Sequence, residues 1–591
     1  MALGAFRGIL PSLQKDDLNS KSALTIIDRE VEKVKSYMVT LWRQRNTFIP
    51  ISRLPPEILS TIFYFVKESA AEDSLYWTKV SHVCHLWREI AINSPSLWTN
   101  PPLASIRWTE EMLSRSKMAS LAVSANFCAF SHRYAPTIDP LPLILPHTPR
   151  IKSLDLCHYD HYVMQRFLSQ MPESAPRLEH LRLRFAPHPQ LSTSSDSVLS
   201  MNKIFEAVKL RVLELTRCAL NWDSRVFGPL LVHLQMSFIP TNARPTVEQF
   251  WNAFDRMPAL ESIEFVDALP LTRSPGYTHP QIFLDKLRKL TISSSNSEVE
   301  IFLSGIIFPS TVAVKLSCKT GTHHDEGFRS VLTQVSSFFS SSVSRPGMKI
   351  RELDVYPSSY VMNGYSTRFI IKSSDDDSPS MRIVLPDLDL DLQTILGGIP
   401  RIICNQVVQD FCASMPLTNL VALRFGEASL LSMDTLAESF GTLPHLRSLS
   451  VSGSNAHNLV LALQKVQLHP STNYRDTPPS LYFQSLCSIS MDDIYFYDDD
   501  GDMTVGLLED CFIWRYECGA EIHTLKLTEC SRLVSSDVER LREIIVDIEW
   551  DELETGFSDE DEDEDDNDLY DDYLDDDDIY SDDDYATLAW Y

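Results

Sequence analysis

The sequence predicts an α/β chain built in three parts: a helical module near the N-terminus, an irregular solenoid of strand–helix units on a parallel sheet, and a disordered acidic tail. Three observations carry this. Apolar residues recur at helical spacing up to Trp98. From Leu121 to Leu533 a short phrase, apolar–any–apolar, keeps returning. After Arg542 the 591-residue chain holds no further Lys or Arg.

The first periodic segment is Ser22–Gln44. Leu24, Ile27, Val31, Val34, Met38 and Leu41 alternate spacings of three and four, which lines one face of a helix. Asp28, Arg29, Glu30, Glu32, Lys33 and Lys35 fill the other faces. About two and a half heptads fall short of a coiled-coil signal. Docking of the stripe on the next module is therefore expected, with self-association as the alternative. Residues 1–47 form this segment.

Residues 48–102 form the module proper. In LPPEILSTIF, Pro56 suits the first helical position, where its missing N–H costs nothing. Glu57 faces the positive end of the helix dipole. Leu54 is placed to pack on Leu59 across the helix start, and Ile58, Leu59, Ile62, Phe63 and Val66 continue a broad stripe. A second helix is expected over Thr78–Ile92, with Val80, Val83, Cys84, Trp87 and Ile90 inward. Ser94 is expected to cap a short third helix carrying Pro95, Leu97 and Trp98.

LPPEILSTIF followed by VSHVCHLWREIAINSPSLW closely resembles the F-box-like domains abundant in mushroom-forming (basidiomycete-type) fungi, which often carry a helix ahead of the box and leucine-rich repeats behind it. The resemblance implies a helical module that docks on the Skp adaptor of cullin–RING ubiquitin ligases. By position it assigns adaptor contacts to Leu54, Pro55, Glu57, Ile58, Leu59, Ile62 and Phe63, and to Val80, Cys84, Trp87, Leu97 and Trp98. Ile90 also matches, as a core residue. The fragment from His82 to His85 lacks a second ligand pair, and Cys84 falls on the apolar face, so it reads as core and not as a metal site.

Residues 103–548 carry the repeating phrase: SLDL, HLRL, VLEL, HLQM, SIEF, KLTI, VKLS, ELDV, ALRF, SLSV, SISM and TLKL. From Leu154 through Leu181, Leu213, Leu234, Ile263 and Leu290 to Val314 the steps are 27, 32, 21, 29, 27 and 24 residues, the range of leucine-rich repeats. LAV at Leu121 and IVL at Ile383 are possible further members. Phrases such as MPESAPRLEHL and FGTLPHLRSL supply a helix end and a Pro turn before the strand. Thr246–Arg256 and Met433–Phe440 have helical composition. Cys218 and Cys530 follow their strands where this repeat type buries a small residue. One strand–helix unit cannot bury its own apolar face, but stacked units share a core. Alternation then turns Asp155, Arg182, Glu214, Gln235, Glu264, Lys315, Asp354, Arg424 and Lys526 outward on a concave face of mixed charge, suited to a protein target.

The net charge of −29 sits mostly in the tail: residues 543–591 hold 24 acidic groups, which leaves −5 for residues 1–542. Such a body offers no basic surface for nucleic acid. The tail, residues 549–591, repels itself and is expected to be disordered. The eleven cysteines form no C-x-x-C pair, no signal peptide opens the chain, and no apolar run of 18 residues is present, so cytoplasm or nucleus is expected, without membrane contact. No nucleotide-loop, metalloprotease or nucleophile-elbow motif occurs. The stretch around Gly501 fails as an EF-hand because Phe496 and Leu507 occupy ligand positions. His323, His324, Asp325 and Glu326 read as a polar turn. No catalytic residue, metal or cofactor is expected. The expectation is a substrate-recognition adaptor of a Skp–cullin ligase; the alternative is an acidic-tailed scaffold for histones or other basic proteins.

Overall fold

In a computed structural model of the chain, the structure describes residues 20–70, 75–127, 141–186, 199–201, 207–271, 281–320, 328–339, 349–361, 364–375, 383–384, 388–394, 400–426, 428–453, 456–467, 481–497 and 503–554. The expectation of a disordered tail falls almost wholly outside these residues.

Four helices come first. Helix α1 is Ser20–Thr47, longer than expected at both ends. Helix α2, Pro56–Glu68, opens on Pro56 as its residue types dictate. The expected second helix is split. Tyr76–His82 is a 3-10 turn, Cys84 is fully extended, and α3 runs only from His85 to Ile92. Local side chains explain the break. Thr78 Oγ1 donates to the Leu75 carbonyl at 2.7 Å and Ser81 Oγ to the Thr78 carbonyl at 2.7 Å, bonds that compete with a regular helix. Ser94 does not cap the turn Pro95–Trp98; its hydroxyl donates back to the Ile90 carbonyl at 2.7 Å. Helix α4, Ile106–Arg115, closes the module.

The rest is a large, mostly parallel sheet with helices against one face. All twelve apolar–any–apolar phrases are strands of it. In chain order they begin with β1 Leu121–Asn126, β2 Ile151–His158, β3 His180–Phe185, β4 Val212–Thr216, β5 His233–Ser237, β6 Ser262–Val266, β7 Lys289–Ser295 and β8 Ala313–Thr320. Each of these pairs in parallel with the next. The same holds from β9 Lys349–Val361 on to β12 Ala422–Phe425, β13 Ser448–Ser452, β14 Ser488–Asp492, β15 Thr524–Thr528 and β16 Asp547–Trp550. Between the two runs lie β10 Gly364–Asp375 and β11 Leu388–Thr394. Strand β11 joins β8 in parallel, and β10 runs antiparallel between β11 and β9. Ile383–Val384, expected as a repeat member, is instead a two-residue antiparallel addition to β10.

Register is kept throughout. Leu154, Leu181, Leu213, Leu234, Ile263, Leu290 and Val314 stand side by side, as do Leu156, Leu183, Leu215, Met236, Phe265, Ile292 and Leu316. Nearly all are solvent-free, in one core that continues to Ile545. The turn leaving a strand is also repeated. Arg217, Phe238, Asp267, Asp493 and Glu529 each follow a five-residue strand with φ of 48–56°, and Gly453 does so at 103°. Only glycine adopts this left-handed region without steric cost. The amides of Arg217, Phe238, Asp267 and Asp493 donate to the Ser237, Val266, Ser293 and Thr528 carbonyls of the following strand at 2.7–3.0 Å, which holds the turn.

Helices back the sheet. Val247–Phe254 starts at a Thr246–Gln249 capping box, and Met433–Phe440 starts with Ser432 Oγ accepting from the Thr435 amide. Two arginines hold loops that the core cannot. Arg515, fully buried, donates to the carbonyls of Leu463, Tyr482 and Phe483 at 2.9, 3.3 and 2.7 Å. Arg150 donates to the Leu113 and Ala119 carbonyls at 3.0 and 3.2 Å and to Ser116 Oγ at 2.9 Å, which ties the end of α4 to the approach of β1. Replacing Arg150 by Met should strand these buried acceptors at roughly 1–3 kcal/mol each. The expected outcome is a lower denaturation midpoint for the whole chain.

The end of the body differs from expectation. A helix over Ser535–Arg542 is followed by β16, which crosses the expected 548/549 boundary between body and tail. Asp551 then accepts from the Glu529 amide at 2.6 Å, and Glu554 accepts from the Ser535 amide at 2.8 Å. The Ser535 hydroxyl and amide hold the Glu554 carboxyl below its ordinary range. A depressed carboxylate contributes above its unfolded pKa and loses that contribution as pH falls through the folded value. A chain ending at Glu554 should therefore melt within a few degrees of the full chain. One ending at Ile548 should melt lower, and the gap should shrink in acid.

Candidate adaptor-docking module

The module's own core is small and aromatic. Leu59, Phe63, Trp77, Val80, Ile90, Ala91, Leu97, Trp98 and Met112 are buried together. Trp98 lies 5.1 Å from the Trp77 ring, centroid to centroid, and its Nε1–H donates to the Ala91 carbonyl at 2.8 Å. Trp87, half-buried, stacks at a tilt on Phe63 at 4.9 Å. Lys67 closes the base. Its ammonium donates to Asn100 Oδ1 at 2.8 Å and sits 5.9 Å from the Trp77 ring, and burial lowers its pKa.

This packing sorts the twelve residues matched to the family motif. Leu59, Phe63, Val80, Leu97 and Trp98 are buried within the chain. Ile62, Cys84 and Trp87 are half-buried. Leu54, Pro55, Glu57 and Ile58 are exposed, Leu54 at 37% and Ile58 at 48%. A three-helix core needs a narrower stripe than α2 supplies, so the surplus faces solvent. Sequence reasoning missed part of that surplus. Phe65, one heptad after Ile58, is 65% exposed, and Val83 at the break before α3 is 60% exposed. Its signal was the run FYF, apolar beyond what one buried stripe uses. Exposed apolar groups clustered on one small module mark a docking surface.

A family model for F-box-like domains matches residues 51–103. This segment is an F-box-like domain. No curated protein matches the chain. Such domains generally bind Skp-type adaptors and serve non-catalytic proteins. The F-box-like domain here shares α4 with the sheet: Met112 enters the box core, whereas Leu113 and Leu103 enter the sheet core.

The nine residues expected outward on the sheet fall on one register line: Asp155, Arg182, Glu214, Gln235 and Glu264, then Lys315 across Thr291, and beyond the antiparallel strand Asp354, Arg424 and Lys526; Asp354 departs from the expectation, because it is buried beneath Lys372 of β10. Many are already paired across strands. Arg182 lies 2.7 Å from Glu214 and 3.8 Å from Asp155, and the bond from Glu214 raises its pKa. Gln235 donates to Glu264 at 3.3 Å. Lys315 lies 3.5 Å from Asp389, Lys372 lies 3.3 Å from Asp354, and Lys526 lies 3.5 Å from Glu549. Arg424 is exposed beside Ser450, its register partner.

Cys84 begins α3 between the exposed His82 and His85, and among the described residues no three His, Cys, Asp or Glu side chains are grouped to hold a metal. His323 to Glu326 and the acidic residues before Gly501 lie outside the described residues. Replacing Trp98 by Ala should unfold the box at roughly 3–5 kcal/mol, the usual cost of a buried aromatic. The check is loss of the tryptophan near-UV signal and a lower melting temperature.

Proposed function

We propose that the chain is the substrate-recognition subunit of a Skp–cullin–RING ubiquitin ligase. The box holds a Skp-type adaptor, the repeated units form a leucine-rich-repeat solenoid, and the outward face of its sheet selects a protein for degradation. The chain itself carries out no chemistry, works in the cytoplasm or nucleus, and is of the kind found in fungal F-box-like proteins. The match at residues 51–103 carries this reading. The in-register strands, their repeated left-handed exits and the helices on one face support the solenoid.

The adaptor surface is the entry of α2: Leu54, Pro55 and Ile58, with Phe65 one heptad on. Replacing Leu54, Pro55 and Ile58 together by Ala removes exposed anchors while leaving Leu59 and Phe63 in the core. Interface anchors typically cost ~2 kcal/mol or more on truncation, roughly a thirtyfold loss of affinity. The expected result of affinity purification is a parent that carries Skp and cullin, and a triple variant that is folded and carries neither. A parent that carries no Skp overturns the proposal.

A further inference from the structure

Helix α1 carries a continuous apolar stripe that is exposed among the described residues. Leu24, Ile27, Val31, Met38 and Leu41 are 41–59% exposed, and Tyr37 and Trp42 are 51% and 52% exposed. The expected docking on the following module is not seen: the stripe faces solvent, and α1 leads only into the short turn Pro50–Arg53. Its 28 residues have the length of four heptads, of which the apolar stripe from Leu24 to Leu41 fills about two and a half. The seam positions are Ser20, Leu24, Ile27, Val31, Val34, Met38, Leu41 and Arg45, so six apolar layers are closed by a polar residue at each end.

We propose that α1 pairs with α1 of a second copy of this chain as a two-stranded coiled coil. The charges beside the seam are complementary to themselves. In a parallel pair Glu30 faces Lys35 of the other copy and Tyr37 faces Trp42. In an antiparallel pair Lys35 faces Asp28. Neither direction sets like charges together. Glu30 and Lys35 now meet Lys33 and Glu32 of their own helix at 2.6 and 2.7 Å, exposed pairs of little net worth that are readily exchanged.

The test is the mass of the full chain in solution by light scattering or sedimentation equilibrium, because an extended acidic tail distorts elution volume. At ten micromolar the parent should weigh two chains. Val31→Ala, Val34→Ala and Met38→Ala together keep helix propensity and remove three layers. That variant should dissociate at roughly a hundredfold higher concentration or more, with the melting temperature of the body unchanged. Arg29→Ala with Ser36→Ala, on the far side of the helix, should leave the mass at two chains. A parent that weighs one chain overturns the proposal, and residues 1–19 then become the occupant to examine. A triple-alanine variant that stays as tightly dimeric as the parent overturns it too.

Discussion

The fold depends on one constraint: no single strand–helix unit can bury its own apolar side, so each must stand in register with the next. That requirement fixes two solvent-free lines of side chains through β2–β8, and again through β12–β15. It also fixes the exits. A chain leaving a pleated strand toward the helix side turns through the left-handed region, and the cost falls on Arg217, Phe238, Asp267, Asp493 and Glu529. The bonds from the first four of these amides to the neighbouring strand, and from the Glu529 amide to the Asp551 carboxylate just past β16, show why the cost is tolerated: each strained turn is held by the unit stacked on it. Strain and stacking are one device.

The same logic governs the joint between box and sheet. Helix α4 belongs to both cores, and Arg150 holds its C-terminal carbonyls against the approach to β1. The Ala122 amide, at the first edge of the sheet, donates to the Thr99 carbonyl at 3.0 Å. An edge strand left bare invites pairing with another chain. Here the box covers its start. The F-box-like domain is thereby set on the body through buried bonds and shared packing, the rigidity that the proposed adaptor role asks for.

Much of this was legible in the sequence. Two periodicities, 3.6 and 2, gave the helices of the box and all twelve strand phrases, because burial on one face leaves a plain trace. What escaped had local or non-repeating causes. The break at Cys84 follows from hydroxyls at Thr78 and Ser81 that bond back to the chain, against an apolar pattern that reads as continuous helix. Strands β10 and β11 carry buried apolar pairs at the same spacing, Phe369 with Ile371 and Leu390 with Leu392, but both enter the sheet between β8 and β9 out of chain order, which no local phrase records. Strand β16, rich in acid, reads as the start of the tail. At the site, the family motif named positions without telling core from surface, and only packing separated Leu59 and Phe63 from Leu54 and Ile58.

The outward line on the sheet shows how little a row of charges says by itself. Read along the chain, its residues look like a mixed-sign surface awaiting a partner. Read across the strands, opposite charges already meet in two short chains: Asp155, Arg182 and Glu214 form one, and Lys315, Asp389 and Arg368 the other. From β12 onward the pattern changes. Ser448, Ser450, Ser452, Ser488 and Ser490 leave a half-exposed face of short hydroxyls with Arg424 at one side and Lys526 at the other. A target that docks on the first part must break ion pairs that already satisfy each other. One that docks on the second meets small side chains with little to displace. Under the proposed function, docking on this sheet would therefore be cheaper toward its C-terminal strands, far along the stack from the box.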